Sequence, residues 1–303
     1  MNLTLSPGFF YCVIIFAMQN PPLLEFELFH PSKIRPWLGI DGNDPHLDYG
    51  HLSQASLCFN VGDQKLFEYS PAILAHWNKL AALDGLAFEK TPPFADQMMW
   101  RVHLDLTDGL NRFLEPIPDD LHWWMMPQHN AHGDRWGTLC SRAWDKTAVV
   151  DCSLLADKIC DAFAGRLLDW DCLVQEPRIR IWSNETEVFV SWDNRDRLVD
   201  GIPVWTASLG IQAYKRDDFL AEVQDFRDRY FNAMTKQLAL VRAGALKPNI
   251  RTDVDCDEKR LLEDRAIPLS QYVKAQTYNN PTDWEAVRVA LKQALKLTGL
   301  ELS

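Results

Sequence analysis

Apolar residues recur at three- and four-residue spacing through Phe219, Val223, Phe226, Tyr230, Met234, Leu238 and Val241, which puts all of them on one face of a long helix. A face of that length must be buried against something. Asp217 stands at its start as an N-cap and Gly244 lies just past its end. The segment before it has a different period. Between Pro177 and Asn194, Ile179, Ile181, Val188 and Val190 alternate with Arg180, Trp182, Glu187 and Phe189, the two-residue period of strands. With Ser183-Asn184-Glu185-Thr186 as the loop, Ile181 faces Val188, Ile179 faces Val190 and Pro177 faces Trp192 on an apolar side. The other side pairs Trp182 with Glu187, Arg180 with Phe189 and Arg178 with Ser191, a mixed and wetter surface. Val199-Asp200-Gly201-Ile202 reads as a further turn and residues 203–206 as a third strand, completing a meander. A meander leading into a one-faced helix predicts the α+β class, with antiparallel hairpins or a meander packed against amphipathic helices.

The rest of the chain fits that class. Residues 23–29 alternate as a half-buried strand stopped by Pro31 and Pro36, and residues 39–45 form a loop. Gly62-Asp63 sits between two apolar runs as a hairpin turn, and Ser70-Pro71 opens a short helix through Trp77. Residues 96–114 are helical in pattern, weakened at Gly109 and ended by Pro116 and Pro118. Residues 153–168 also read as helix. Thr282-Asp283-Trp284-Glu285 is a capping box for a terminal helix whose inner face is Val287, Ala290, Leu291 and Leu295. No fixed-period repeat and no low-complexity linker divides the chain, so residues 23–303 are expected to be a single α+β domain, or two packed halves joined near 145–170. Residues 1–22 are expected to be an extension. The apolar run 9–18 has no Lys or Arg before it and is too short to span a bilayer, which favours a natural start at Met18 and an over-long gene model before it. A signal or anchor, and an added strand or helix on the core, are the alternatives.

Composition narrows the function classes. At 303 residues and 47% hydrophobic, the chain has ample material for a core. Its net charge of -11 disfavours binding to nucleic acid or to an anionic membrane and suits a basic protein partner. The seven cysteines include no Cys-x-x-Cys pair, which removes a zinc ribbon and a thioredoxin-like motif and points to reduced thiols and a cytoplasmic address. A single disulfide is compatible with that count. Phosphate-binding loops, nucleophile elbows and dinucleotide fingerprints are not written in the chain.

Two groups of residues carry candidate chemistry. His129, His132 and Asp134 lie within six positions and could share a divalent ion, although His-x-x-His aligns ligands less well than i, i+4 on a helix and lacks the glutamate of a metalloprotease. Residues 253–258 resemble a calcium loop only in charge, because Glu258 stands where glycine is required, and they read as a solvated acidic turn. Arg178, Arg180, Trp182, Trp192, Asp193, Asn194 and Trp205 combine planar cations with indoles and could recognise a carboxylate, a peptide or a protein. The structural alternative has Trp192 and Trp205 filling the core while Arg178 and Arg180 cover the outside and pair with acidic residues.

Leu114-Glu115-Pro116-Ile117-Pro118-Asp119-Asp120-Leu121, the strand 177–182, Trp192-Asp193-Asn194 and the segment 200–207 together resemble an uncharacterised bacterial protein family, catalogued as a domain of unknown function, with tryptophan-rich hairpins before a long helix. The helix at 219–234 and the segment 282–287 are similar too, so the resemblance runs over most of the chain from about Leu23. It departs at residues 56–63, where the family's first hairpin is more aromatic. The resemblance implies a fold and no activity. The expectation is a non-enzymatic binding or accessory protein, toxin neutralisation included, that needs no cofactor. The alternative is a metal-assisted hydrolase built on His129, His132 and Asp134 with a divalent ion.

Overall fold

The computed structural model describes residues 21–38, 45–83, 92–127, 137, 139–142, 150–168, 173, 175–274 and 281–299. Its first half contains β1 (Leu24–Leu28), α1 (Tyr49–Leu52), β2 (Gln54–Val61), β3 (Gln64–Lys65), α2 (Pro71–Leu83), β4 (Ala95–Met98) and α3 (Met99–Leu114). The second half continues with α4 (Val150–Phe163), β5 (Leu167–Leu168), β6 (Ile179–Ser183), β7 (Glu187–Asp193), β8 (Leu198–Val199), β9 (Ile202–Pro203) and β10 (Leu209–Lys215). The described chain closes with α5 (Arg216–Arg242), α6 (Val254–Ala266), α7 (Leu269–Lys274) and α8 (Trp284–Thr298). The class is α+β with antiparallel sheets. No helix among the described residues is long and apolar enough to cross a membrane.

Strand β2 organises the first sheet: β1 pairs along one side of it, while β4 pairs at its start and β3 at its end on the other. Gly62 and Asp63 make the two-residue β2–β3 connection, and Gly62 takes the positive φ of 62° that the tight turn demands. The second sheet has the order β5-β6-β7-β10. In it, Ile181 pairs with Val190, Ile179 with Trp192 and Ser183 with Val188. The sequence reading placed these pairs two residues away. Asn184 is the cause: its amide donates to the Glu187 carbonyl at 3.0 Å, and its Oδ1 accepts from the amides of Thr186 at 2.9 Å and Glu187 at 2.7 Å, which tightens the loop. A shift of two residues keeps every side chain on its expected face.

Other boundaries move for local reasons. The third strand of the meander is β10, not residues 203–206. Asp200 and Gly201 both take positive φ and fold β8 onto β9 as a separate two-stranded ribbon. The helix read from residue 96 begins at Met99, since the three residues before it pair with β2. Helix α2 continues to Leu83, beyond the Trp77 end expected for it, and the pattern that ran to Leu168 ends as α-helix at Phe163. Lys215, not Asp217, occupies the N-cap of α5, and Asp217 sits in the first turn where its charge complements the helix dipole. Asp253 caps α6, so the acidic run is a helix start. The N-cap of α8 is Asp283, whose carboxylate accepts from the Ala286 amide at 3.0 Å.

Buried apolar residues fall in two clusters. The first gathers β1, β2, α3 and the inner face of α5 around Phe59, Phe113, Phe226 and Tyr230. The second gathers α4, α8 and the segment 117–125 around Ile159, Phe163, Leu291 and Trp182. The β6–β7 hairpin lies between them. Ile179, Ile181, Val188, Val190 and Trp192 enter the first cluster, whereas Trp182 and Phe189 enter the second. The side read as wet is therefore enclosed: Trp182 is fully buried and Arg180 is 3% exposed. Burying an indole removes roughly 200 Å² from water, worth up to about 5 kcal/mol, which gives the second cluster its own reason to close over the hairpin.

A polar knot joins the two clusters at the end of α3. The Glu115 carboxylate accepts from Arg166 at 3.0 Å, Arg112 at 3.1 Å, the Thr282 hydroxyl at 2.7 Å and the Thr282 amide at 2.5 Å. Arg166 is completely buried and also donates to the Ala162 carbonyl. Thr282 thus serves the knot instead of capping its own helix.

Candidate functional site

The open end of the β6–β7 hairpin collects charge. The Arg178 amide donates to Asn194 Oδ1 at 2.9 Å, and Asn194 Nδ2 donates to the Ala207 carbonyl at 2.8 Å. The buried Asn194 therefore staples the entry to β6, the exit of β7 and the approach to β10. Beside it, the Asp193 carboxylate takes two bonds from Arg195, from Nε and Nη2, both at 2.8 Å. This paired geometry is the strongest form of the contact and fixes the guanidinium plane. Arg178 Nη2 donates to Asp196 at 3.2 Å, and Arg197 Nε lies 3.9 Å from the other oxygen of Asp196.

Arg180 lies beneath these groups. Burial pushes its guanidinium down to about 10, Asp193 and Asp196 oppose that fall, and Arg197 adds to it. It remains a cation at neutral pH. Arg197 is likewise held below its ordinary value, first by burial and then by Arg178, against Asp196, Glu176 and Asp193. Four arginines and three carboxylates thus share one end of a ribbon. Such a cluster can hold a carboxylate or another planar anion by guanidinium forks.

The sequence-predicted residues divide between this cluster and the interior. Arg178, Arg180, Asp193 and Asn194 come together. The three indoles do not join them. Trp182 stacks on Phe189 with centroids 4.3 Å apart in the second apolar cluster. Trp192 lies over Gly210, where an added Cβ would stand 2.2 Å from its Cζ2. Trp205 stacks on Tyr69 at 4.8 Å and donates from Nε1 to the Gln175 carbonyl at 2.7 Å. Arg195, Asp196, Arg197 and Glu176 are members that the sequence reading missed, although the charge run from Asp193 to Arg197 was a visible signal. His129, His132 and Asp134 lie outside the described residues. Among the described residues no group of three or more His, Cys, Asp and Glu side chains is placed to hold a metal ion.

A second polar group is interior. His103 on α3 accepts at Nε2 from Arg227 Nε at 3.2 Å, and Arg227 also donates to the carbonyls of Asp264 and Ile267 at 3.2 and 2.7 Å. Burial, with Arg227 beside it, holds the imidazole down to about 3, so it is neutral. These bonds tie α3 and α5 to the α6–α7 connection.

An antiparallel hairpin enclosed on both faces among amphipathic helices, with an arginine–carboxylate cluster at its open end, defines an α+β protein. Residues 23–290 match the model of DUF5984, a family of unknown function, and the chain belongs to that family. No curated protein and no solved structure matches it.

Proposed function

We propose that the chain is a non-enzymatic binding or accessory protein that holds a protein partner at the open end of the β6–β7 hairpin, toxin neutralisation being one form of such a role. One observation carries this reading. Arg178, Arg195 and Arg197 keep side-chain exposures of 16%, 29% and 22%, while Asp196 and Asp193 hydrogen-bond Arg178 and Arg195 and Arg197 stands 3.9 Å from Asp196. A guanidinium that is already fixed and still reachable loses little further entropy when a partner's carboxylate meets it. The excess negative charge of the chain steers a basic partner toward it, and the arginines give that partner's carboxylates a defined contact.

The test is affinity purification from the native host across growth conditions, with the wild-type chain and with an Arg197→Ala variant of matching melting temperature. A stoichiometric partner is expected with the wild type, bound at least about tenfold more weakly by the variant, a difference of about 1.4 kcal/mol. Equal retention by both chains, or substrate turnover without a partner, overturns the reading.

A further inference from the structure

Two cysteine side chains meet at the wall of the second apolar cluster. Cys160 follows Ala156 by one turn of α4, and a helical side chain leans back toward the preceding turn. Cys140, in the short helical stretch 139–142, directs its Sγ at the Ala156 carbonyl oxygen, 3.7 Å away, and the same single thiol proton is within reach of the Cys160 side chain as an alternative acceptor. Both are free thiols. Cys140 is buried among the apolar residues of the cluster, while Cys160 is partly exposed. The hydrogen bond from Cys140 lowers the Cys160 thiol, against burial and the nearby carboxylates of Asp157 and Asp161. The same bond, together with burial, raises Cys140. The reachable sulfur is thus the better nucleophile, and the enclosed one keeps its proton beside it.

We propose that Cys140 and Cys160 form a reversible dithiol–disulfide site whose substrate is an oxidant of the peroxide class. The Cys160 thiolate attacks one peroxide oxygen, the O–O bond breaks, and the departing oxygen takes a proton and leaves as water, so that Cys160 becomes a sulfenic acid. Cys140 Sγ then displaces the hydroxyl from that sulfur. The S–S bond forms, and the hydroxyl leaves with the Cys140 proton as a second water. Two thiols lose two electrons and one peroxide gains them. A small-molecule thiol reverses the step by exchange. The new bond would fasten the stretch 139–142 to α4, and through α4 to its packing partner α8.

The experiment treats the full chain with hydrogen peroxide, blocks remaining thiols, digests with trypsin and maps the peptides. Peptides 136–142 and 159–166 are expected as one joined species about 2 Da lighter than the sum of the free peptides, which separates on reduction. In a Cys140→Ala variant, Cys160 is expected to stop at sulfenic acid and be captured by dimedone. Three results overturn the proposal: Cys160 joined to a different cysteine, Cys160 advanced to sulfinic acid with Cys140 still blockable, or no joined peptide at a dose that oxidises the exposed Cys256. The wild-type map decides the question alone where the variant does not fold.

Discussion

Replacing Glu115 by alanine tests the polar knot that joins the two apolar clusters. Arg166, with no exposed surface, would keep only carbonyl acceptors and the face of the Trp284 ring, and Thr282 would lose the acceptor of both its amide and its hydroxyl. Removing one partner of a buried ion pair costs about 3–5 kcal/mol. The Glu115 side chain is 18% exposed, so water screens part of that, and the lower end, about 3 kcal/mol, is the expected loss. For a chain of this size the melting temperature should fall by roughly 5 °C. Urea unfolding followed by tryptophan fluorescence measures it, and a cycle with Thr282→Ala should show a coupling of about 1 kcal/mol. Acid gives a second reading. Burial opposes ionisation of Glu115, but the two Thr282 bonds and Arg166 overcome it and hold the carboxyl below its ordinary value. A depressed carboxylate contributes stability that is complete above its ordinary value of 4.5 and is lost as pH falls through the lower folded value. Glu115→Gln should remove that acid-dependent part. A loss under about 1 kcal/mol for Glu115→Ala, or strict additivity with Thr282→Ala, would refute the reasoning.

Gly210→Ala should destabilise by about 1–3 kcal/mol, because the new Cβ meets the rigid indole of Trp192 inside contact distance. An unchanged melting temperature with an unchanged near-ultraviolet circular dichroism spectrum would show that the indole has room to move. His103 should show no imidazole titration by NMR between about pH 8 and about pH 5. Its folded value lies below its ordinary 6.5, so its stabilising effect is complete above 6.5 and declines as pH falls toward about 3, by at most about 1.4 kcal/mol per pH unit. A wild-type minus His103→Gln stability difference that stays constant from about pH 7 to about pH 5 contradicts this.

Much of the fold was legible because its signals are local. The Gly62-Asp63 turn, the alternation in β6 and β7, and the apolar stripe of α5 depend on residues within a few positions of one another. The register of the hairpin was not legible, because it rests on which amides the Asn184 side chain captures. Strand β10 was hidden for a different reason. It is half-exposed along its length and carries Gly210, so it lacks both the apolar alternation and the β-branched density of a strand. The enclosed outer face of β6 was unreadable, since the elements that cover it come from 117–125, 150–163 and 284–298. Of the charged cluster, the residue types stood in plain view between Asp193 and Arg197. Their pairing did not, because alternation along an extended chain does not say which arginine folds back onto Asp193.

Enclosure of both hairpin faces also decides where function can be read. A ribbon buried on both sides offers a partner only its ends and edges. At this end, the Asp193 charge favours the buried Arg180 cation, and its carboxylate accepts two hydrogen bonds from Arg195. Arg180, at 3% exposure, needs nearby carboxylates for the fold itself, since a buried cation without them costs several kcal/mol. Arg195 and Arg197 are reachable from water, but Arg195 also neutralises the Asp193 carboxylate, which is 4% exposed, so its loss costs stability too, whereas Arg197 stands 3.9 Å from Asp196. A change at Arg180 therefore reports on folding whatever the partner is. A change at Arg197 reports on binding, and comparing it with changes at Arg180 and Arg195 separates the structural use of the cluster from its use in recognition.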